Sequence, residues 1–336
     1  MHIPDIESMV HLYKHVYVSP HLDDIVLSCS GRIAKQLGRG ESVLVVTVFT
    51  GDVEGKKKPR GGIYAQVVDI KGRKAEDGKA MDRLGVDYLW LDYIDSIFRY
   101  RNPIFRFGLF IGKSSIEAKL YEAIREDIRK ICKRAGNRRL YLPIGAGQHK
   151  DHHILFRIGK QIIEQPTNDI EINFYEDVPY VLFPNVLKYR LKLIGITYSS
   201  LFLDKDATYM KSIMHEVREL YREIIGVPTL KLGNPLLKPF VFLALILSIT
   251  FILLQSKYRA REISRWKMSP EIYDVSEVMP EKLAAIMEYR TQLQVPFWDV
   301  KDISLYFIKY SNFIGGKVGQ YLERYWKMYR SYNSPQ

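Results

Sequence analysis

Three side chains that can bind a metal or carry a proton lie within four residues of one another near the N-terminus. His21, Asp23 and Asp24 directly follow an apolar, β-favouring run and a Ser-Pro pair. The apolar residues from Ile25 onward predict a helix that extends to about Leu37. The segment is therefore predicted to be a strand, a tight turn and a helix, and ligands bind at such turns in open α/β sheets.

The residue types of this turn suit a catalytic metal. A neutral imidazole nitrogen and a hard carboxylate oxygen are a usual pairing for catalytic zinc. Because Asp23 and Asp24 are adjacent in the chain, they point in different directions, so one can bind the metal while the other serves as a general base. The alternative is an exposed turn in which Asp24 caps the helix, since Asp is a preferred N-cap residue.

A second group of histidines opens another predicted helix. His149, Asp151, His152 and His153 follow a predicted strand at 140–144 and a glycine-rich turn. If the helix begins just after His149, then His149 and His152 can face one point in space. The two turns together offer His and Asp from one side and His from the other, and they leave a metal position open for water. This layout is typical of a catalytic rather than a closed structural zinc site.

At these two motifs the chain resembles the zinc deacetylases of the PIG-L/LmbE-like family. The letters S-P-H-L-D-D at 19–24 resemble the family's H-P-D-D-E-type signature, and Q-H-K-D-H at 148–152 resembles its H-x-D-H motif. The resemblance covers most of residues 14–200 and returns at 282–292, which resembles a late family helix. It implies a zinc-dependent hydrolase that removes the N-acetyl group from an N-acetylglucosamine-type sugar conjugate and releases acetate.

The resemblance also implies a role for each residue of the two motifs. The implied ligands of the Zn²⁺ are His21, Asp24 and His152. Asp23 would be the general base and His149 the general acid or oxyanion stabiliser, with Asp151 as the partner of His149. Two positions depart from the family pattern. Leu22 replaces the usual Pro, and Ile25 stands where many members carry Glu, so any help from that carboxylate is absent here.

Two substrate contacts follow from the same resemblance. Arg73 lies in a segment that resembles the family's R-x-x-E helix, in which the Arg reaches the sugar or its phosphate. The alternative is a surface pair between Arg73 and Glu76, which are three residues apart. Asp95 follows a predicted strand at 87–93, where the family often places an acidic residue near the sugar hydroxyls. The Glu-Asp pair that ends a predicted strand at 171–180 resembles a segment at the rim of the family's pocket.

The order of the predicted elements defines the fold class. The apolar run at 42–50 predicts a parallel strand that is buried on both faces. Strands predicted at 87–93, 138–144 and 171–180 alternate with helical patterns. The sequence therefore predicts an α/β, Rossmann-like three-layer fold with a mainly parallel sheet. No G-x-G-x-x-G follows the first strand, so nothing supports dinucleotide binding. The Lys- and Gly-rich stretch at 53–62 is expected to be a solvated linker or a substrate flap.

The C-terminal part of the chain has a different sequence pattern from the part that carries the two motifs. A helical extension at 201–336 is expected beside a catalytic domain at 1–200, with a late helix at 281–292 packing back on that domain. Residues 239–256 are 18 residues without a charge, at the edge of what spans a bilayer, and a Lys- and Arg-rich flank follows to residue 267. Such a flank suits anionic lipid. The alternative is a buried core or interface helix.

A true crossing would separate the late helix from the catalytic motifs, so a segment that dips into or lies on the membrane is the more consistent form of association. The basic, aromatic tail at 306–332 is expected to be a terminal helix packed on the domain. No recognised nucleic-acid module is present, so nucleic acid is not expected as a partner. A homo-oligomer is compatible with the sequence.

Composition bounds the partners and the compartment. The formal net charge is +12 and the pI is about 9.4, which favours acidic partners such as phosphates or anionic membrane. Two cysteines are too few for a disulfide framework and indicate a reducing compartment. Because no secretory signal peptide is evident, the expected location is the cytoplasm, with possible association with the cytoplasmic face of a membrane.

The residues alone predict a metal-assisted hydrolase with an α/β fold. The acetyl-sugar substrate, lipid-linked or phosphate-linked, is implied by the resemblance together with the charge and the apolar run. Two other functions stay open at this point. One is a metallo-amidohydrolase that acts on a non-sugar amide, and the other is a metal-free membrane-binding or glycan-binding protein with the same fold.

Overall fold

The structure of the protein is a computed structural model. It describes residues 1–53, 69–99, 115–136, 139–146, 149–164, 170–182, 187, 190, 191, 194, 266–293 and 303–330. The strands within these ranges are β1 (His2–Ile3), β2 (His15–Ser19), β3 (Val43–Thr47), β4 (Asp87–Trp90), β5 (Arg139–Pro143), β6 (Glu171–Tyr175), β7 (Trp266–Asp274) and β8 (Leu322–Arg330). The helices are α1 (Asp24–Leu37), α2 (Ile70–Leu84), α3 (Ser96–Arg99), α4 (Ser115–Ala135), α5 (Lys150–Glu164), α6 (Met279–Ile286) and α7 (Ser304–Phe313). Short 3₁₀ helices cover Tyr180–Leu182 and Ser276–Val278.

The described strands form one sheet in the order β1-β4-β3-β2-β5-β6-β8-β7. Neighbours from β1 to β6 are parallel, and the last two pairings are antiparallel. The strand order reverses between β2 and β5, where Tyr17 is in register with Tyr141. In open α/β sheets the crevice at such a reversal, outside the carboxyl ends of the strands, binds ligands. The turns that follow β2 and β5 carry the two predicted motifs.

Two groups of helices cover the sheet. Helices α1, α2 and α6 contact one another, and α4 contacts α5. Right-handed crossovers on the two sides of the reversal place these groups on opposite faces. Every residue of β3 is buried, so the parallel strand predicted from the apolar run at 42–50 is confirmed. The expectation of an α/β fold with a mainly parallel sheet is confirmed as well.

The expectation of a purely helical C-terminal extension is wrong for the described residues. Strands β7 and β8 pair along nine residues each and extend the sheet from the edge of β6. The tail is helical only in α7, and Leu322 begins a strand. An unpaired edge of β6 would leave backbone groups without partners, and pairing with β8 supplies them. Helix α6 packs on α1 and α2, where the late helix was expected to pack back on the catalytic part of the chain.

Several expectations fall outside the described residues. They include most of the loop at 53–62, the apolar run at 239–256 and the basic flank as far as residue 265. Among the residues that are described, no helix combines the length and the apolar character needed to cross a bilayer. The division of the chain into domains at residue 200 stays a prediction, although one sheet contains strands from both sides of it.

Candidate active site

The turn after β2 has a backbone conformation that separates its two carboxylates. Asp23 has a φ of 112°, in a region that non-glycine residues rarely adopt and that is found at functional sites. Asp24 is the first residue of α1, is 5% exposed, and accepts a hydrogen bond from the backbone N–H of His21 at 2.9 Å. Asp23 precedes the helix but makes no side-chain capping bond. The alternative of an exposed turn capped by Asp24 is therefore wrong.

The three predicted metal ligands lie together at the reversal of the sheet. Asp24 Oδ2 is 3.2 Å from His21 Nδ1 and 3.4 Å from His152 Nε2. Tetrahedral zinc with bonds of about 2.0–2.1 Å separates neighbouring ligand atoms by about 3.3 Å. Among the described residues, His152 Nε2 is buried without a hydrogen-bond partner. An orphaned buried nitrogen, a shared carboxylate oxygen and N/O donors at this spacing fit a zinc ion.

The outer nitrogen of each of these histidines faces a carboxylate. His21 Nε2 is 3.2 Å from Asp151 Oδ2, and His152 Nδ1 is 2.7 Å from Asp177 Oδ1. Carboxylates in this position hold the ring and the tautomer of metal-bound histidines. Both acids are fully buried. The other oxygen of Asp177 accepts the backbone N–H of Ala146 at 2.8 Å, so this side chain ties the ends of β5 and β6 together.

Asp177 was not among the predicted site residues. Its signals were its place at the end of the strand predicted at 171–180 and the resemblance of that segment to the rim of the family's pocket. Asp151 was expected to pair with His149, but its hydrogen bonds in the described part of the chain go elsewhere. They join it to His21, to the backbone N–H of Ser96 at 3.0 Å and to Arg99 at 2.6 Å.

His149 lies beside the two predicted histidine ligands, His21 and His152. Its ring centroid is 4.8 Å from that of His21 and 5.4 Å from that of His152. His149 Nε2 is 3.4 Å from Ser96 Oγ, and its Nδ1 is buried without a hydrogen-bond partner among the described residues. Burial, followed by the charge of His21, lowers the pKa of His149 to about 4. The imidazole is therefore neutral at neutral pH.

Two overlapping groups of ligand atoms within the described residues could also hold a metal ion; both contain His21 and His149, and neither contains Asp24. The first group adds His152 and the second adds Asp95 and Asp151. Burial opposes ionisation of Asp24, but the charge of His152 and the hydrogen bond to His21 lower the pKa of Asp24 to about 2. The site therefore offers an ionised carboxylate between imidazole nitrogens, which is the donor chemistry of a divalent metal.

Asp23 lies at the open side of the site, with 18% of its side chain exposed. Burial, followed by the charge of Asp24, raises the pKa of Asp23 to about 7, against the charge of Arg73. A carboxylate with a pKa near the working pH is suited to general base catalysis. Because Asp24 is ionised at the same pH, the two adjacent carboxylates can hold different roles.

The two predicted substrate contacts both lie near the cluster but are largely buried. Asp95 Oδ2 is 3.5 Å from His21 Nε2, and a bridge between Gly51 and Ile94 joins the chain ends after β3 and β4 just before it. Arg73 is 5% exposed and donates to the carbonyl oxygen of Leu22 at 3.2 Å. The surface pair of Arg73 with Glu76 is not formed, because Glu76 accepts hydrogen bonds from Thr291 instead.

The PIG-L family model, described as GlcNAc-PI de-N-acetylase, matches residues 16–163 of this chain, from β2 through α5. Two curated relatives are 2'-N-acetylparomamine deacetylases. The one from Niallia circulans is 26% identical over 191 residues, which cover 49% of this chain and 66% of the relative. The one from Streptomyces fradiae is 28% identical over 167 residues, which cover 50% of this chain and 57% of the relative. The match thus spans less than two thirds of either relative.

Solved structures share the fold of the described residues. A triple mutant of a deacetylase from the teicoplanin biosynthetic pathway matches with a TM-score of 0.60 and 17% identity, covering 96% of this chain and 100% of that one. The A40926 pseudoaglycone deacetylase matches with a TM-score of 0.59 and 20% identity, covering 96% of this chain and 99% of that one. At these identities the likeness establishes the fold.

Proposed function

We propose that this protein is a zinc-dependent deacetylase that hydrolyses the acetamide of an amino-sugar conjugate and releases acetate and a free amine. One observation carries the proposal. Asp24 Oδ2 lies between His21 Nδ1 and His152 Nε2 at ligand spacing, with Asp23 beside it at the open side of the site. The sugar part of the proposal is supported by the matching family model and by the curated relatives, which are 2'-N-acetylparomamine deacetylases by name.

His21, Asp24 and His152 would hold the zinc. When bound, zinc supplies Lewis acidity that polarises a carbonyl and lowers the pKa of water. Asp23 takes a proton from the attacking water, since its pKa of about 7 leaves much of it ionised at neutral pH. The protonated Asp23 then delivers this proton to the amine that leaves.

His149 stabilises the negative charge that develops on the acetyl oxygen. Because its pKa is lowered to about 4, the neutral ring donates a hydrogen bond from one nitrogen but does not carry an extra proton at neutral pH. Asp23 therefore suits the delivery of the proton to the amine better than His149 does. A donor placed at a developing oxyanion contributes about 10²–10³-fold to the rate.

Asp151 and Asp177 orient the two histidine ligands through their outer nitrogens. Contacts of Asp95 and Arg73 with the sugar stay predictions, as do cytoplasmic location and membrane association. The net charge of +12 favours a substrate that carries phosphate or lies at an anionic surface.

The test measures zinc content and acetate release from N-acetylglucosamine conjugates and N-acetylparomamine. The wild type is compared with Asp23→Asn, His152→Ala and a control, Asp87→Asn, which lies at the amino end of β4 and so at the opposite edge of the sheet. We expect about one zinc per chain in the wild type, and Asp23→Asn should keep the metal and lose about 10²–10⁴-fold in kcat. His152→Ala should lose both zinc and turnover, and the control should keep both.

Full release of acetate by Asp23→Asn, or release that persists after chelation, would contradict the proposed site. Zinc binding without turnover of any acetylated amino sugar would keep the metal centre and contradict the substrate class. Turnover of simple non-sugar acetamides alone would assign the site to another class of amidohydrolase.

A further inference from the structure

Arg73 is directed inward, at the turn that carries the proposed base. Its Nη2 donates to the Leu22 carbonyl oxygen at 3.2 Å and lies 4.0 Å from Asp23 Oδ1. With only 5% of its side chain exposed, Arg73 offers little surface to a substrate. A guanidinium in this position can fix the backbone of the turn and the side chain of Asp23 together.

Asp77 supplies a buried negative charge one helical turn after Arg73 on α2. Positions four apart on a helix are neighbours, and both oxygens of Asp77 have donors. Oδ1 accepts from Tyr289 Oη at 2.6 Å and Oδ2 accepts from Trp90 Nε1 at 2.8 Å. Burial raises the pKa of Asp77 to about 6, against these two hydrogen bonds and the charge of Arg73. The carboxylate is therefore ionised at neutral pH.

Tyr289 joins the C-terminal part of the chain to Asp77, which lies one helical turn from Arg73. It follows α6 and is fully buried, and its hydroxyl donates to Asp77. Two residues further on, Thr291 donates its backbone N–H and its hydroxyl to the two oxygens of Glu76, at 3.0 and 2.7 Å. Two consecutive carboxylates of α2 thus hold the segment that contains Tyr289 and Thr291.

We infer that Asp77 and Tyr289 are positioning residues that hold Arg73 against the turn carrying the proposed base. The inference rests on the proposed deacetylation, because it assigns the positioning of Asp23 to residues 54 and 266 positions further along the chain. A displacement of about 1 Å at a reacting group can cost about 10²-fold in rate. Loss of the hydroxyl of Tyr289 should therefore slow the chemical step without weakening substrate binding.

The experiment compares Tyr289→Phe and Asp77→Asn with the wild type and with Tyr325→Phe. The control removes another buried tyrosine hydroxyl that donates to a carboxylate, that of Glu323 at 2.9 Å. We expect kcat to fall about 10- to 100-fold in Tyr289→Phe and Asp77→Asn, with KM within about twofold of wild type and zinc content unchanged. Tyr325→Phe should lose similar thermal stability and keep its kcat.

Equal kcat values for Tyr289→Phe and Tyr325→Phe would overturn the inference, because the hydroxyl would then be only structural. A higher KM at unchanged kcat would also overturn it, since Arg73 would then act as a substrate contact. A wild type that releases no acetate would refute the proposed function instead. In that case hydrogen exchange of the peptide at 16–27 decides the positioning role: it should be faster in Tyr289→Phe than in the wild type or Tyr325→Phe, and equal rates would refute it.

Discussion

Replacing Asp177 by Asn should weaken zinc binding while leaving the fold intact. Both carboxylate oxygens are in use, one by His152 Nδ1 at 2.7 Å and the other by the backbone N–H of Ala146 at 2.8 Å. An Asn has one carbonyl oxygen, so its NH₂ group must face one of these donors. If the oxygen stays with His152, the ring keeps its tautomer but loses the negative charge that makes Nε2 a better ligand.

The expected loss of zinc affinity is about 10- to 100-fold, the usual effect of removing an outer partner of a metal-bound histidine. This corresponds to about 1.4–2.8 kcal/mol, at about 1.4 kcal/mol for each factor of ten. The NH₂ group of the Asn would then face the backbone N–H of Ala146, so two donors would meet without an acceptor. This should lower the free energy of unfolding of the metal-free protein by about 1–3 kcal/mol. The two effects are separable because the first depends on zinc and the second does not.

The assay is competition for zinc with a chromophoric chelator, alongside thermal unfolding of the metal-free protein. Asp127→Asn is the matched control, because Asp127 also accepts a hydrogen bond, from Tyr93 Oη at 2.6 Å, but contacts no predicted ligand. Asp127→Asn should lose stability and keep its zinc affinity. A folded Asp177→Asn protein with wild-type zinc affinity would refute the assignment of His152 as a ligand held by this carboxylate.

Two further predictions concern buried charges away from the metal. Lys282→Met should lower the free energy of unfolding by about 3–5 kcal/mol, because it leaves Glu323 buried without the ammonium that lies 2.7 Å away. Urea unfolding measures this loss. The double variant Lys282→Met with Glu323→Gln should regain part of the lost free energy. Burial lowers the pKa of His15 to about 4, against its hydrogen bond to Glu41, so the folded state binds this proton less readily than the unfolded state. The free energy of unfolding should therefore fall by about 3 kcal/mol as the pH drops from about 6.5 to about 4, at 1.36 kcal/mol per pKa unit. Urea unfolding at pH 7 and at pH 4.5 measures this fall, which should be smaller in His15→Asn than in the wild type.

The turn and the helix start that carry the proposed ligands could be predicted because their determinants are local. His21 and Asp24 are three residues apart in one turn, and His152 lies in the first turn of the helix after β5. Asp177 could not be assigned in the same way. Its contact with His152 requires β6 to lie beside β5, a pairing between distant segments that no residue spacing reveals. The contact of Asp151 with His21 likewise depends on the adjacency of β2 and β5.

The wrong prediction of a helix for the end of the tail has a physical cause. A strand with one buried face alternates apolar and polar residues, but residues 322–326 of β8 are buried on both faces and still include Glu323 and Arg324. These charges hide the strand pattern, and the aromatic residues around them suit a helix equally well. Each charge is tolerated because a partner from another element lies against it. Lys282 contacts Glu323 at 2.7 Å, and Arg324 contacts Glu176 at 2.6 Å.

Glu323 and Glu176 also connect the C-terminal strands to the elements that carry the site. Glu323 accepts the backbone N–H groups of Gly31 and Arg32 in α1, the helix that begins with a proposed ligand. Glu176 precedes Asp177 and takes donors from Arg324 and Trp326.

Buried carboxylates of this kind are stable only while their partners are in place, since an uncompensated buried charge costs several kcal/mol. The segment at 16–163 that matches the family therefore carries the proposed ligands, while residues beyond 279 supply the cations and hydroxyls that let the surrounding carboxylates stay buried. The part of the chain that carries the proposed ligands is for this reason smaller than the unit that must fold to form the proposed metal site.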